Sequence, residues 1–239
     1  MNELLQKVIE AHGGLDRWSA CTTLKATIVA GGEFWGMKGL EQDQNPRELT
    51  VWLHEQHSML SAFGDPDWHL NFKTKYVAVE KGDGSLVADR NNPRAAFADH
   101  VLETPWDALH LAYFDGYALR TYLTTPFLLT MDGVQVSEIE PWQEANETWR
   151  VLRAEFPEDI ETHGAVQDFF FGEDLLLRRH DYPMDVAGGF YAAHLVYDYI
   201  EADGIRLPTR RRAYTRGSDR RPVIDPLMVS IDISDVHFA

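Results

Sequence analysis

Four side chains that could do chemistry together are spaced along one segment in the middle of the chain. They are Trp106, His110, Tyr113 and Tyr117. The intervals of four, three and four residues place them on one face of a helix. An imidazole beside phenol groups in an apolar pocket is suited to proton transfer, because burial disfavours the imidazolium. The pattern predicts His110 and Tyr113 as candidate catalytic residues; the alternative is an aromatic stripe that only packs against a sheet.

Further candidates for a binding site flank this stripe. Arg120 follows Tyr117 by one helical turn and could join the lower end of the same face. His194 and Tyr197 belong to a segment of period two, which puts them on opposite faces of a strand. One of the two should face the interior, and the sequence leaves open which. The candidate ligand-binding residues are therefore Trp106, Tyr117, Arg120, His194 and Tyr197.

Several other kinds of site lack their motifs. The ten histidines form no HxH or HExxH pattern and no CxxC pair occurs, so we expect no metal. The chain has no GxSxG turn around a nucleophilic serine and no glycine loop of the phosphate-binding types. We therefore expect no cofactor either.

A cluster of arginines stands out near the C-terminal end of this acidic chain. Its members are Arg206, Arg210, Arg211, Arg212, Arg216, Arg220 and Arg221. One interpretation is an outer strand face whose arginines pair with carboxylates of neighbouring strands. The other is a clamp for a carboxylate or phosphate ligand, since the guanidinium fork matches such anions.

Most segments alternate between apolar and polar residues with a period of two, which predicts β-strands. The clearest examples are the last three: Phe190–Glu201, Ile205–Tyr214 and Leu227–Phe238. We expect a mainly β fold with about nine to eleven strands in a single highly curved antiparallel sheet, a half-barrel. Residues 1–239 should form a single domain, because no linker or repeat divides the chain.

Two segments have helical spacing instead. Residues 2–12 have an apolar stripe, which predicts an amphipathic N-terminal helix. Residues 105–122 predict an internal helix that plugs the open side of the half-barrel. Thr104 is expected as its N-cap and Pro105 as its first residue.

Composition excludes some partners. The formal net charge is −16 and the pI is near 4.9, so nucleic acid and anionic membrane surfaces are not expected to bind. No apolar run approaches the ~20 residues that span a bilayer, which argues against membrane insertion. Cys21 is the only cysteine, and Met1–Lys7 lacks the features of a signal peptide. From these features we expect a cytoplasmic location.

Three segments together resemble the LolA/LolB-like fold of outer-membrane lipoprotein carriers. They are the helix end Ala11–Trp18, the hairpin Phe170–Arg179 and the strand entry Gly204–Thr209. That fold has an N-terminal helix, a strongly curved antiparallel sheet and helices that plug its open side. The resemblance implies an apolar cavity under helical lids.

Two functions follow from these observations. The first is a soluble binding protein for a hydrophobic or amphipathic small molecule, held in an aromatic-lined cavity of the half-barrel. The alternative is a cofactor-independent enzyme, such as a cyclase, isomerase or hydrolase, that uses His110 and Tyr113 in the same cavity.

Overall fold

One open antiparallel sheet dominates the computed structural model, which describes residues 2–41 and 43–239. Its first six strands are β1 (Thr23–Gly31), β2 (Arg47–Trp52), β3 (His57–Ser61), β4 (Trp68–Lys73), β5 (Tyr76–Lys81) and β6 (Leu86–Asn91). The others are β7 (Gln135–Glu144), β8 (Glu147–Glu155), β9 (Val166–Phe171), β10 (Leu177–Met184), β11 (Phe190–Ala202), β12 (Ile205–Arg216), β13 (Pro222–Val223) and β14 (Val229–Phe238). The mainly β, antiparallel prediction is confirmed.

The strands follow the order β6-β5-β4-β3-β2-β1-β14-β12-β11-β10-β9-β8-β7, and β13 pairs with β12. The predicted number of nine to eleven strands is wrong, because the described residues form fourteen. Strands β2 to β6 have only five or six residues each and β13 has two. Segments this short carry too few alternations to be separated from one another by pattern.

Four α-helices and three short 3₁₀ helices accompany the sheet in the described part of the chain. They are α1 (Glu3–Ala11), α2 (Leu15–Ala20), α3 (Phe34–Met37), α4 (Ala108–Thr124), η1 (Pro93–Phe97), η2 (Phe127–Thr130) and η3 (Asp185–Ala187). Helix α1 confirms the predicted N-terminal helix. The Asn2 side chain accepts hydrogen bonds from the backbone of Leu4 and Leu5 at its start, which satisfies two otherwise unpaired N–H groups.

The internal helix begins later than the sequence suggested. Asp107 is its N-cap: the carboxylate accepts a hydrogen bond from the His110 backbone N–H, and Nδ1 of His110 accepts one from the Asp107 backbone. This reciprocal arrangement is a capping box. The predictions of Thr104 as N-cap and Pro105 as first helical residue are therefore wrong, since the Thr104 hydroxyl instead accepts from the Val101 backbone.

Helix α4 lies in the concave space of the curved sheet and is contacted by strands from opposite parts of it. Ser58 of β3 donates a hydrogen bond to its Gly116 carbonyl at 2.8 Å, and Tyr122 bonds Tyr182 of β10 at 2.8 Å. These two strands are six positions apart in the sheet, which would be about 29 Å if the sheet were flat. A helix is only about 10 Å wide. The sheet therefore bends around α4.

Burial along α4 confirms this position. Every residue from Ala112 to Thr124 is buried, so the helix has no solvent-facing side over that length. A helix that is covered all round belongs to the core. The single aromatic stripe expected from its spacing is therefore one part of a continuous contact surface.

Candidate functional site

A pocket of about 680 Å³ lies between the start of α4 and the strands β1 and β2. Its wall is mostly apolar. The apolar lining includes Ala30, Trp35, Leu40, Phe63, Ala108 and Leu111. Glu41, Asp43 and Asp65 also line the pocket, so its polar part is rich in carboxylates.

A narrow cleft of about 20 Å³ continues from this pocket toward the middle of the molecule. Both spaces are lined by Ala30, Trp35, Arg47 and Asp115. The cleft follows the inner side of α4 and ends near Tyr122 of that helix, between it and strands β1 and β14. The two spaces are therefore adjacent, and the cleft lies on the core side of the pocket.

Arg47 and Asp115 bring charge to the junction of pocket and cleft. Arg47 is the first residue of β2 and is only 7% exposed. Its Nε has no hydrogen-bond partner among residues 2–41 and 43–239. Asp115 is equally buried, and this burial raises the pKa of its carboxyl to about 6, against the opposing effect of the Arg47 charge. A buried carboxyl and a buried guanidinium group therefore face the cleft, whose other lining residues are apolar or aromatic.

Beyond the cleft, several buried polar side chains form a cluster in the core. The Tyr182 hydroxyl lies 2.8 Å from that of Tyr122 and 3.1 Å from Nδ1 of His194. The His163 ring stacks on Tyr182 with 3.9 Å between ring centroids, and Nε2 of His180 lies 2.6 Å from the side-chain oxygen of Gln167. These contacts connect α4, the β8–β9 loop and strands β9 to β11.

Burial controls the charge of this group. It lowers the pKa of His163, His180 and His194 well below the ordinary value and raises the pKa of Tyr122 and Tyr182. Each imidazole is therefore neutral at pH 7. A neutral, hydrogen-bonded cluster of this kind specifies the packing of a core.

No group of three or more His, Cys, Asp or Glu side chains within the described ranges is arranged to hold a metal ion.

The two candidate catalytic residues lie apart from the pocket. His110 uses Nδ1 in the capping box, and its Nε2 lies 3.2 Å from the Ala96 carbonyl. Tyr113 is fully buried, and its hydroxyl donates to Glu161 and accepts a longer bond of 3.4 Å from Arg94. Burial raises the pKa of the Tyr113 phenol. Both side chains therefore already have hydrogen-bond partners within the protein.

Three candidate ligand-binding residues are packed inside the protein. The Trp106 ring contacts Phe34, Phe97 and Phe114, and the Lys38 ammonium lies 4.7 Å from its centroid. Tyr117 is fully buried, and its hydroxyl lies 3.4 Å from Nδ1 of His163. Arg120 donates from Nε to the Glu55 carbonyl at 2.8 Å, and burial lowers its pKa to about 10.

The structure of strand β11 shows which of the two remaining candidates, His194 and Tyr197, faces the interior. His194 faces inward and is 1% exposed, whereas Tyr197 is 42% exposed on the other face. Tyr197 therefore does not line the interior. Asp198 has a φ of 56°, a left-handed conformation that is uncommon outside glycine. Beyond it the strand exchanges faces, and Tyr199 packs toward the core.

Sequence reasoning missed Arg47 and Asp115, the two charged residues at the junction. Asp115 carried a usable signal: it sits between Phe114 and Tyr117 in a segment whose other residues are mostly apolar or aromatic. A lone carboxylate in such a helix is buried only where a cavity or a partner accommodates it. Arg47 gave no comparable signal, because it follows a polar loop.

Comparison with known proteins identifies the fold. The chain has the fold of a LolA superfamily protein from Nitrosomonas europaea, with a TM-score of 0.55, 10% identity, and coverage of 98% of this chain and 90% of that one. A DUF1329 family protein from Desulfovibrio piger has a TM-score of 0.55 and 10% identity, with coverage of 98% of this chain and 91% of that one. A protein domain from Vibrio parahaemolyticus is described as outer membrane lipoprotein-sorting. Its TM-score is 0.56 and its identity 8%, with coverage of 99% of this chain and 91% of that one. The predicted resemblance to the LolA-like fold is confirmed at the level of the fold.

Neither the family models nor the curated proteins contain a match to the sequence.

The expected cytoplasmic location is contradicted by these structures. The Vibrio parahaemolyticus domain, which has this fold, is described as outer membrane lipoprotein-sorting. The expectation rested on the single cysteine Cys21, on the lack of a long apolar run and on the composition of Met1–Lys7.

In the part of the chain that the structure describes, every helix is too short or too polar to cross a membrane.

Proposed function

We propose that this protein binds a hydrophobic or amphipathic small molecule in the pocket between α4 and strands β1 and β2. The observation that carries the proposal is the mostly apolar pocket together with the adjacent cleft beside α4, which shares four of its lining residues. A volume of about 680 Å³ lies within the ~300–1,000 Å³ range of small-molecule sites. In this proposal the sheet is a half-barrel that forms one domain, and α4 is its internal plug.

Arg47 and Asp115 define how such a ligand would be oriented. An apolar chain fits the wall formed by Trp35, Phe63 and Leu111. A polar group on the same molecule would gain a hydrogen bond from the unpartnered Nε of Arg47. The carboxylates of Glu41, Asp43 and Asp65 would disfavour an anionic group elsewhere in the pocket.

The neutral probe N-phenyl-1-naphthylamine tests this proposal, because its fluorescence rises in apolar surroundings. Ala30→Phe places a ring where the pocket meets the cleft, and we expect it to weaken probe binding about tenfold or more. Ala95→Phe is the matched control, since Ala95 is exposed in η1 and lines neither space. Equal binding by the wild type and Ala30→Phe would exclude this pocket as the site.

A further inference from the structure

A second charged pocket lies on the face of the sheet that points away from α4. Along β10, His180 and Tyr182 face the core near Tyr122, whereas Arg179 and Asp181 alternate with them and face the other way. The pocket on that side has a volume of about 280 Å³. Its lining is Arg153, Val166, Asp168, Asp181, Tyr191, Arg216 and Arg220.

Four arginines share two carboxylates at this pocket. Arg153 binds Asp168 with two hydrogen bonds of 2.8 and 3.0 Å, and Arg220 lies 3.5 Å from the same carboxylate. Arg216 donates to Asp181 at 3.1 Å, and Arg179 forms a fork with that carboxylate at 2.6 Å on both arms. Two positive charges are left over, in a protein whose formal net charge is −16.

The buried pair Arg179–Asp181 holds the exposed arginines in place. Arg179 and Asp181 are 0% and 1% exposed, and the desolvation cost of such a pair is offset only by good geometry and further hydrogen bonds. Here they fix both sides of the pocket. The Arg179 guanidinium also donates to the Arg220 carbonyl in the loop after β12, and the Asp181 carboxylate accepts from Arg216.

Aromatic rings complete the lining and the surroundings. The Arg216 guanidinium lies 4.0 Å from the Tyr191 ring centroid, and the Arg220 guanidinium lies 5.5 Å from that of Trp142. Stacking on a ring holds a guanidinium plane while its N–H groups stay free to donate. Arg153 and Arg220 keep 41% and 42% of their side chains exposed, so a ligand can reach them.

We propose that this pocket binds a phosphate group, with Arg153, Arg216 and Arg220 as its donors. Guanidinium groups that converge from two strands and a loop fit the several oxygens of a phosphate, and a doubly charged phosphate monoester matches the two excess charges. The same chemistry is presented by free phosphate and by a lipid headgroup such as phosphatidic acid. The proposal is independent of the pocket beside α4, because the two lie on opposite faces of the sheet.

Two probes distinguish the sources. Inorganic phosphate is titrated into the full chain in phosphate-free buffer near pH 7.5 and followed by calorimetry. In parallel, vesicles of phosphatidylcholine with and without phosphatidic acid are tested by co-sedimentation. Arg216→Gln and Arg220→Gln should each weaken binding about tenfold. Arg220 lies in an exposed loop, so its variant tests the proposal even if Arg216→Gln fails to fold.

Arg206→Gln is the matched control, because Arg206 lies on the same strand and makes an exposed pair with Glu201. Ten residues along β12 separate it from Arg216, about 34 Å. One-site phosphate binding that both pocket variants weaken and the control retains supports the proposal. Binding only to phosphatidic acid vesicles, with the same dependence, supports it with a headgroup as the source. No binding of either probe, or equal loss in the control, overturns it.

Discussion

The phenol oxygens of Tyr122 and Tyr182 lie 2.8 Å apart, and this hydrogen bond joins the internal helix α4 to strand β10. The Tyr182 hydroxyl also lies 3.1 Å from Nδ1 of His194, whereas the Tyr122 hydroxyl has one hydrogen-bond partner among the residues that the structure describes. Both residues are almost completely buried. The two hydroxyls are therefore similar in environment but differ in how many partners they serve.

This difference predicts unequal effects of removing the hydroxyls. Tyr122→Phe should lower the free energy of unfolding by about 1 kcal/mol, because the Tyr182 hydroxyl keeps its contact with His194. Tyr182→Phe should lower it by about 2–3 kcal/mol, because it leaves both Tyr122 and His194 without a partner. Urea unfolding of the two variants measures the difference. Equal losses would show that the contact with His194 contributes nothing.

Asp115 predicts an unusual dependence of stability on pH. Its pKa is raised to about 6 by burial, above the ordinary 3.8. The folded state therefore holds the proton more tightly than the unfolded state, and the contribution present below pH ~4 is lost as the pH rises to ~6. We expect Asp115→Asn to raise the free energy of unfolding at pH 7 by about 2–3 kcal/mol and to have little effect at pH 4. Denaturant titrations at both pH values measure this.

Asp132→Asn provides the control for that experiment, since Asp132 is exposed and does not line the pocket. Its effect should stay near zero at both pH values. A pH-independent effect of Asp115→Asn would contradict the argument.

Gly116 predicts a reversal of the usual effect of glycine in helices. Replacement by alanine ordinarily stabilises a helix by about 0.5–1 kcal/mol. At Gly116, however, a Cβ would lie 2.3 Å from Cβ of Phe72 in β4. We expect Gly116→Ala to lower the free energy of unfolding by about 1–3 kcal/mol through overpacking. Gly36→Ala in α3 is the matched control, because no atom lies within 4 Å of its added Cβ and the change should be neutral or stabilising.

Variants of His110 test whether this residue stabilises α4 or acts at the ligand. Because its ring completes the capping box of α4, His110→Ala should lower the free energy of unfolding by about 1 kcal/mol. Glutamine can act at the same capping position, so His110→Gln should retain much of this stability. Neither variant should change the affinity for N-phenyl-1-naphthylamine. A loss of probe binding in both would instead place His110 at the ligand.

The elements with long, regular patterns were the ones that the sequence predicted well. The strands β11, β12 and β14 agree with their predicted ranges within two residues at either end. The start of α4 was misplaced because Thr104-Pro105 imitates a helix start, while the reciprocal bonds of Asp107 and His110 decide the true one.

The candidate site could not be predicted from the sequence pattern, for a different reason. Arg47 and Asp115 are 68 residues apart, and they line the same space only because the sheet bends around α4. Helical spacing grouped Trp106 with Tyr117, but Trp106 precedes the N-cap Asp107 and lies outside α4. Spacing also could not show that the Trp106 ring packs against Phe34 and Phe97.

The position of β14 between β1 and β12 sets the order in which the molecule can be completed. Among the described strands, β1 to β6 are joined to β7 to β12 within the sheet through β14 alone, and β14 also lines the cleft with Val229 and Ile231. During synthesis β1 emerges about 200 residues before its partner β14. Pairing over such a distance is slow, so each new copy has an exposed strand edge at β1 until β14 has been synthesised and has paired with it.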